Sequence, residues 1–403
     1  MMNKLLTVLS LIVFALPLAA QHDKAEFKPY QVGFYHNVIM KEMGFKVPDL
    51  SDRKVFKATF DGLIIPNDTN KYVRCVYLPP VHQGMTGTCW CYATTSFMEA
   101  EILRTTGKKV KLSEMYTVYW EYVDRAADYV KRRGNYFAEG SEASSIPIVW
   151  EKYGIVPLVA FPGKPATQPY HNHREMVEKM SAYLDSMKQA GAWNEEEIIK
   201  QIRVILDSYM GTPPAKFKYE GKEYTPQTFL KEVVKLNLND YYNFMSTKSA
   251  NYMERSELVE ADNWRHYDKY YNLNCEDFTQ TLVDALKKKY SVCICGDISE
   301  PGIDAFNEAA YIPTIDIPFE YINDDSRELR LQNGSTTDDH CIHVVGWYND
   351  GKHYWFLIKD SNAGAFDGPN KGYRFFRDDF VKLKMMNIML HKEGAPVLNK
   401  IIK

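Results

Sequence analysis

Apolar positions recur at helical spacing through the first half of the chain and alternate in its last quarter, which predicts helices first and a sheet afterwards. Residues 21–70, broken by Pro29, Pro48 and Pro66, read as an N-terminal segment that wraps the body. Val73 to Leu78 reads as a short strand ended by Pro79-Pro80. From Cys89 onward, Ala93, Phe97, Ala100 and Leu103 share one helical face, so Cys89 sits at or just before a helix start. Ser113 is a candidate N-cap for a second helix carrying Tyr116, Trp120, Val123 and Ala127. Residues 145–153 form another helix ending at Gly154, and 160–175, with three prolines and two histidines, read as a loop. Asn194 and Glu197 make a capping-box pattern before Ile198, Ile202 and Ile205, and Gly211 with Pro213-Pro214 stops that helix. Thr225-Pro226 opens a helix with Phe229, Val233 and Leu236. Cys275 to Tyr290 reads as a helix and Ser291 to Cys295 as a buried strand. Cys341 to Tyr348 alternates, Asn349-Asp350-Gly351 turns, and His353 to Lys359 pairs back. Helices followed by a mainly antiparallel sheet make an α+β chain.

A length of 403 residues suits one large domain or two intimate lobes. Aromatic residues reach 14%, with 28 tyrosines, which favours a well-filled core and aromatic-lined grooves. A net charge of −3 with no sustained basic run argues against a nucleic-acid partner, because phosphate binding needs concentrated Lys and Arg. Lys4, the apolar run Leu5 to Leu16 and the small residues before Gln21 read as a signal peptide over residues 1–20. That implies export to a periplasmic or extracellular compartment. With no other long apolar run, no stable membrane span is expected after cleavage.

Seven cysteines, at 75, 89, 91, 275, 293, 295 and 341, leave at least one thiol unpaired within the chain. Cys89 is the candidate for reactivity. It closes the stretch Gln83-Gly84-Met85-Thr86-Gly87-Thr88-Cys89-Trp90, and a thiol at a helix N-terminus is stabilised as thiolate by unpaired N–H groups and the helix dipole. Gln83, across a glycine-containing loop, can aim its amide at the same point as the Cys89 N–H, making an oxyanion hole. A base is also required, and that base needs an orienting partner. His340 starts the first strand of the late hairpin and Asp360 ends the return strand, so the two meet at one end of the ladder.

Gln83 with Gly87-Thr88-Cys89-Trp90, Asp339-His340 with Gly346, and Leu357-Ile358-Lys359-Asp360-Ser361 resemble the three signature blocks of the papain-like cysteine peptidases. Cys89 and His340 stand 251 positions apart, beyond the roughly 130–150 usual for papain-type enzymes. The excess resembles the bleomycin hydrolase and aminopeptidase C branch, which carries a large helical insertion. Leu112-Ser113-Glu114, Glu151 to Pro157, Tyr224 to Phe229 and Tyr270 to Leu273 are similar to that branch too. The resemblance implies a helical lobe and a sheet lobe flanking a cleft, within a peptidase domain over 71–403 and an insertion at about 160–275. It implies Cys89 as nucleophile, His340 as base, Gln83 as oxyanion donor and Asp360 as orienting residue. It also implies peptide substrates, no cofactor, no metal, and a homo-oligomer in the form of a hexamer. Aminopeptidase activity follows where the C-terminal tail lies in the cleft; a short tail, Gly394 to Lys403, leaves an open-cleft endopeptidase as the alternative.

Three positions depart from the family pattern. Asp360 replaces the usual Asn, which raises the His340 pKa. Asn362 stands where a Trp shields the imidazole hydrogen bond, so that bond is expected to be wetter. Thr86 replaces a Cys, so a disulfide usual in secreted papain-like enzymes cannot form. These departures motivate a second reading, a non-catalytic peptide-binding protein on the same scaffold. Retention of Gln83, Cys89 and His340 together argues against it. His343, His82 and Cys91 read as structural, and Glu195-Glu196-Glu197 as a helix N-terminal feature. Glu139-Gly140-Ser141 corresponds by resemblance to a substrate-groove segment.

Overall fold

A computed structural model describes residues 23–402, so the expected leader lies outside the described residues. Strands β1 (Ala25–Pro29) and β2 (Lys54–Ala58) pair antiparallel in the N-terminal segment. That segment is tied to the body: Ala58 N donates to the Pro301 carbonyl, and Phe34 N donates to Asp367. Strand β3 (Val73–Arg74) is shorter than the expected run to Leu78. It pairs with Gly346 and Trp347, beside a bulge at Val344/Gly346 that interrupts the ladder.

Five helices build the first lobe: α1 (Cys89–Thr106), α2 (Glu114–Lys131), α3 (Ser145–Tyr153), α4 (Arg174–Ala190) and α5 (Glu195–Met210). Ser113 Oγ accepts from Tyr116 N and Asn194 Oδ1 from Glu197 N, so both expected caps are made. Gly154 ends α3 at φ 74°, and a Cβ there would press on the Pro226 backbone. Helix α4, unassigned from sequence, buries Met176, Met180 and Leu184 on one face. A hairpin of β4 (Phe217–Tyr219) and β5 (Lys222–Tyr224) leads to α6 (Pro226–Phe229), which a wider turn prolongs to Val234.

The sheet lobe takes strands from distant parts of the chain. They are β6 (Tyr241–Met245), β7 (Arg255–Ser256), β8 (Tyr270–Asn272), β9 (Val292–Gly296), β10 (Ile303–Asp304) and β11 (Ala309–Ala310). The last four are β12 (His340–Asn349), β13 (Tyr354–Lys359), β14 (Tyr373–Arg377) and β15 (Met385–His391). Their order is β10-β11-β14-β13-β12-β9-β15-β6-β8-β7, with β3 added beside β12. Thus residues 241–272, within the stretch expected to be mainly helical, supply three strands to the main sheet. Pairing is antiparallel except at β11/β14 and β6/β8. Helix α7 (Cys275–Lys287) packs on the sheet beside β12 and β9.

Helix α1 lies across β12 and β9, with Phe97 and Met98 fully buried. This seam joins the lobes, with Cys89 at the N-terminus of the helix and His340 at the first position of the strand. The C-terminal tail docks elsewhere. Leu398 joins the same apolar cluster as Leu282 and Leu286 of α7, and Lys400 Nζ pairs with Asp277 at 3.1 Å. Lys403 lies outside the described residues.

Candidate active site

Cys89 is the first residue of α1, so its N–H has no acceptor within the helix. Thr88, the N-cap, makes no side-chain cap; its hydroxyl is shared with Thr86 Oγ1 at 2.6 Å. The positive end of the helix therefore stays open toward the sulfur. Among the described residues Cys89 is the one free thiol that is not buried; Cys75, Cys91, Cys275 and Cys293 are enclosed. The remaining pair, Cys295 and Cys341, sit opposite each other on β9 and β12 and form a disulfide.

His340 meets this thiol across the seam. Its Nε2 is 2.8 Å from Asp360 Oδ1, which leaves Nδ1 unengaged by Asp360, and the Cys89 sulfur is near enough to act on the imidazole charge. Burial alone would push the imidazole down. Asp360 and then the Cys89 sulfur outweigh burial and hold it up at about 10. Burial would likewise raise Asp360, but His340 and Arg374 outweigh it and keep this carboxylate low. Arg374, on β14, places Nε 3.0 Å from Asp360 Oδ2, close enough for an ion pair although the N–H is not aimed at the oxygen. The Asn362 N–H completes the site by donating to Asp360 Oδ1 at 2.8 Å.

Gln83 is held from both ends. Its backbone N–H donates to the Ser361 carbonyl at 2.9 Å, and Ser361 Oγ donates to its Oε1 at 2.7 Å. The amide nitrogen then faces the Cys89 loop, donating one hydrogen to Thr86 O at 2.7 Å and keeping the second free. Gly84 makes the turn possible: φ is 71°, and a Cβ would lie 2.7 Å from the His171 carbonyl oxygen. Beside Gln83 opens a cavity of about 820 Å³, floored by Thr86 and Asn362 and walled by Tyr30, Tyr35 and His36 of the N-terminal segment. Glu139, which also lines this cavity, accepts through Oε2 from Gly87 N at 2.8 Å and through its carbonyl from Trp90 Nε1 at 3.1 Å, which presses the expected groove segment against the Cys89 loop. A thiol on a helix N-terminus, a charged imidazole, an unbonded helix N–H and a side-chain amide on the adjoining loop form an arrangement able to carry out acyl transfer.

Residues 137–400 match the model of the Peptidase C1-like family. The chain belongs to that family. Within it, the chain falls in the papain-like bleomycin hydrolase and aminopeptidase C branch. It is similar to aminopeptidase C of Lactobacillus delbrueckii subsp. lactis, 23% identical over 366 residues, covering 78% of this chain and 80% of that protein. It is similar also to bleomycin hydrolase of Gallus gallus, 23% identical over 376 residues, covering 79% and 81%. The crystal structure of PepW from Lactobacillus rhamnosis HN001 shares the fold at a TM-score of 0.65 and 19% identity, covering 82% of this chain and 83% of that one.

Against that family background, the missing Trp does not make the imidazole bond wetter. His340 and Asp360 are only 4% and 2% exposed. Arg374 packs closely against Gly364 of the Ala363–Phe366 turn. Arg374 escaped the sequence reading; its only local signal is a charge set between the aromatic residues Tyr373 and Phe375. His343 points to the opposite strand face from His340, as expected, and takes Ser96 Oγ at 2.7 Å. His82 packs between Tyr170 and Phe34, and Cys91 is buried with its thiol on the Glu114 carbonyl. Glu195, Glu196 and Glu197 form the first turn of α5. Glu142 with Cys295 and Cys341 offers three ligand-type atoms close together, but the disulfide withdraws both thiolates. Among the described residues no helix is long and apolar enough to cross a membrane.

Proposed function

We propose that this chain is an exported cysteine aminopeptidase, in which Cys89 thiolate attacks the carbonyl carbon of a peptide bond. Electrons displaced onto the carbonyl oxygen are met by the Cys89 N–H and the free amide hydrogen of Gln83. His340, charged and held by Asp360, gives its proton to the leaving amine as the tetrahedral species collapses to a thioester. Neutral His340 then takes a proton from water, which attacks the thioester and frees the thiol. The single observation carrying this reading is the placing of Cys89, at the start of α1, against the hydrogen-bonded His340–Asp360 pair, with Gln83 on the same loop. The names of the relatives, aminopeptidase C and bleomycin hydrolase, favour action at the amino end of peptides. Export, through a leader over residues 1–20 to a periplasmic or extracellular site, agrees with a disulfide beside the imidazole, since such bonds persist in oxidising compartments. Assembly into a homo-oligomer rests on the branch alone.

Two measurements test the reading: iodoacetamide labelling and hydrolysis of a free-amine peptide, each with and without Cys89→Ala. Fast labelling of Cys89 near neutral pH, with hydrolysis abolished by the substitution, is the expected result. Labelling no faster than an ordinary thiol, with no hydrolysis, returns the chain to a peptide-binding role. Docking of the tail on α7 favours one rival, an endopeptidase with an open cleft.

A further inference from the structure

With the tail on α7, something else in the cleft has to recognise the amino end of a substrate if the proposed aminopeptidase reading, on which this inference rests, is right. Four carboxylates from three stretches of the chain lie close together near the groove segment: Glu142, Glu260 with Asp262, and Asp338. Asp338 lies two residues before His340, and Glu142 lies three after Glu139, whose carboxylate holds the Cys89 loop. Asn387, on β15 opposite Cys295, ties them together: its Nδ2 donates to Glu142 Oε2 at 3.1 Å and to Asp338 Oδ2 at 2.9 Å. The Asp262 carboxylate sits directly over Gly140, where a Cβ would collide with it, so the groove segment is capped at that point.

The cluster is short of donors and of positive charge. Glu142 Oε1 and Asn387 Oδ1 are both buried without a hydrogen-bond partner, in side chains 1% and 0% exposed. An unpaired buried acceptor is costly, and two at one place call for a donor. Arg125 is the cation facing Asp262; its NH1 is occupied by the Gly140 carbonyl, and its Nε is buried without a partner, so it gives no hydrogen bond to the cluster. Arg265, nearby in sequence, is turned away onto Glu121 and Asp124. Burial first, and then mutual repulsion, push Glu142, Asp338 and Glu260 up, the behaviour of carboxylates lacking a counter-ion. Asp338 precedes His340 by two residues and is tied through Asn387 to Glu142, on the segment whose Glu139 holds the Cys89 loop, so the cluster is joined to both sides of the catalytic pair.

We infer that Glu142, Asp338, Asn387 and Asp262 form the binding site for the α-ammonium group of the peptide substrate. A primary ammonium brings one positive charge and three N–H donors, matching Glu142 Oε1, Asn387 Oδ1 and the Asp338 carboxylate. Asp262 over Gly140 closes the groove beyond it, so a chain continuing past its amino end has no room. Side chains from four stretches thus do at the cleft what a tail docked on α7 does not.

The test is kcat/KM for one peptide with a free amine and with an N-acetyl group, in wild type, Asp262→Asn and Asp338→Asn. The two aspartates lie on different loops, so misfolding of one variant, seen in its melting curve, leaves the other to decide. The expected result is a free-amine preference in wild type and a fall of about 10–100-fold on the free-amine peptide in the variants, chiefly through KM. The acetylated peptide does not follow, so the preference collapses. Unchanged preference in folded variants overturns the inference and leaves the aminopeptidase reading standing. No preference in wild type overturns that reading, and this inference with it. Calcium or magnesium alone binding wild type by calorimetry, with EDTA removing the preference, makes the cluster a metal site and overturns the assignment. Preference for an acetylated peptide with Lys before the cleaved residue, lost in the variants, assigns the cluster to a side-chain ammonium and overturns it too.

Discussion

Arg374 Nε stands 3.0 Å from Asp360 Oδ2, and both side chains are buried beneath the imidazole of His340. A neutral Asn at position 360 would need no such neighbour. A carboxylate does, because a buried charge without a partner is expensive. The two positions read as one change, in which the acidic orienting residue is accompanied by its own counter-ion from the neighbouring strand β14.

From this pair follows a stability prediction. Arg374→Met leaves Asp360 with only the imidazolium opposite it and lowers unfolding free energy by about 3 kcal/mol, read by urea titration. Adding Asp360→Asn in the same chain restores part of the loss. Strictly additive losses in the double variant contradict the pairing.

The pH profile tests the same carboxylate from the His340 side. Asp360 favours the protonated imidazole, and the Cys89–His340 pair keeps its proton until the pH approaches about 10. Asp360→Asn withdraws that support, so His340 loses its proton at lower pH. The alkaline limb of kcat/KM therefore moves down, by about one pH unit or more. An upward shift, or none, shows that Asp360 does not set the imidazole charge.

Ser361 offers a graded test of the oxyanion site. Its hydroxyl holds Gln83 Oε1 at 2.7 Å and so fixes which way the amide nitrogen faces. Gln83→Ala is expected to lower kcat by about 100- to 1000-fold with little change in KM. Ser361→Ala, which frees the amide to rotate, falls between that variant and wild type. Equal kcat in all three removes Gln83 from the oxyanion site.

Gly84→Ala probes the loop that carries Gln83. Alanine at φ 71°, with its Cβ 2.7 Å from the His171 oxygen, costs about 1–3 kcal/mol and displaces the amide. Both the melting temperature and kcat are expected to fall. Full activity in a destabilised protein uncouples the turn from the site.

Signals that act within a few residues were legible in the chain. Ser113 and Asn194 cap their helices because a short polar side chain satisfies N–H groups of its own first turn. Cys89 opens α1, and His340 and Asp360 share one end of a hairpin whose turn residues set its register. Where neighbours decide, reading stopped. Helix α4 follows His173, which makes no side-chain cap, and β3 is held to two residues, paired with Gly346 and Trp347 of β12.

Residue type and order along the chain thus determined the family, the helix that presents the thiol, and the three side chains grouped with it, Gln83, His340 and Asp360, because each is set by local hydrogen bonding or by a short motif. Tertiary structure alone decided the partner of Asp360, the seat of the C-terminal tail on α7, and the gathering of Glu142, Asp262, Asp338 and Asn387. These depend on where charges from remote stretches come to rest after burial. Coulomb attraction and unmet hydrogen bonds act over ångströms in space, and carry no mark of their distance along the chain.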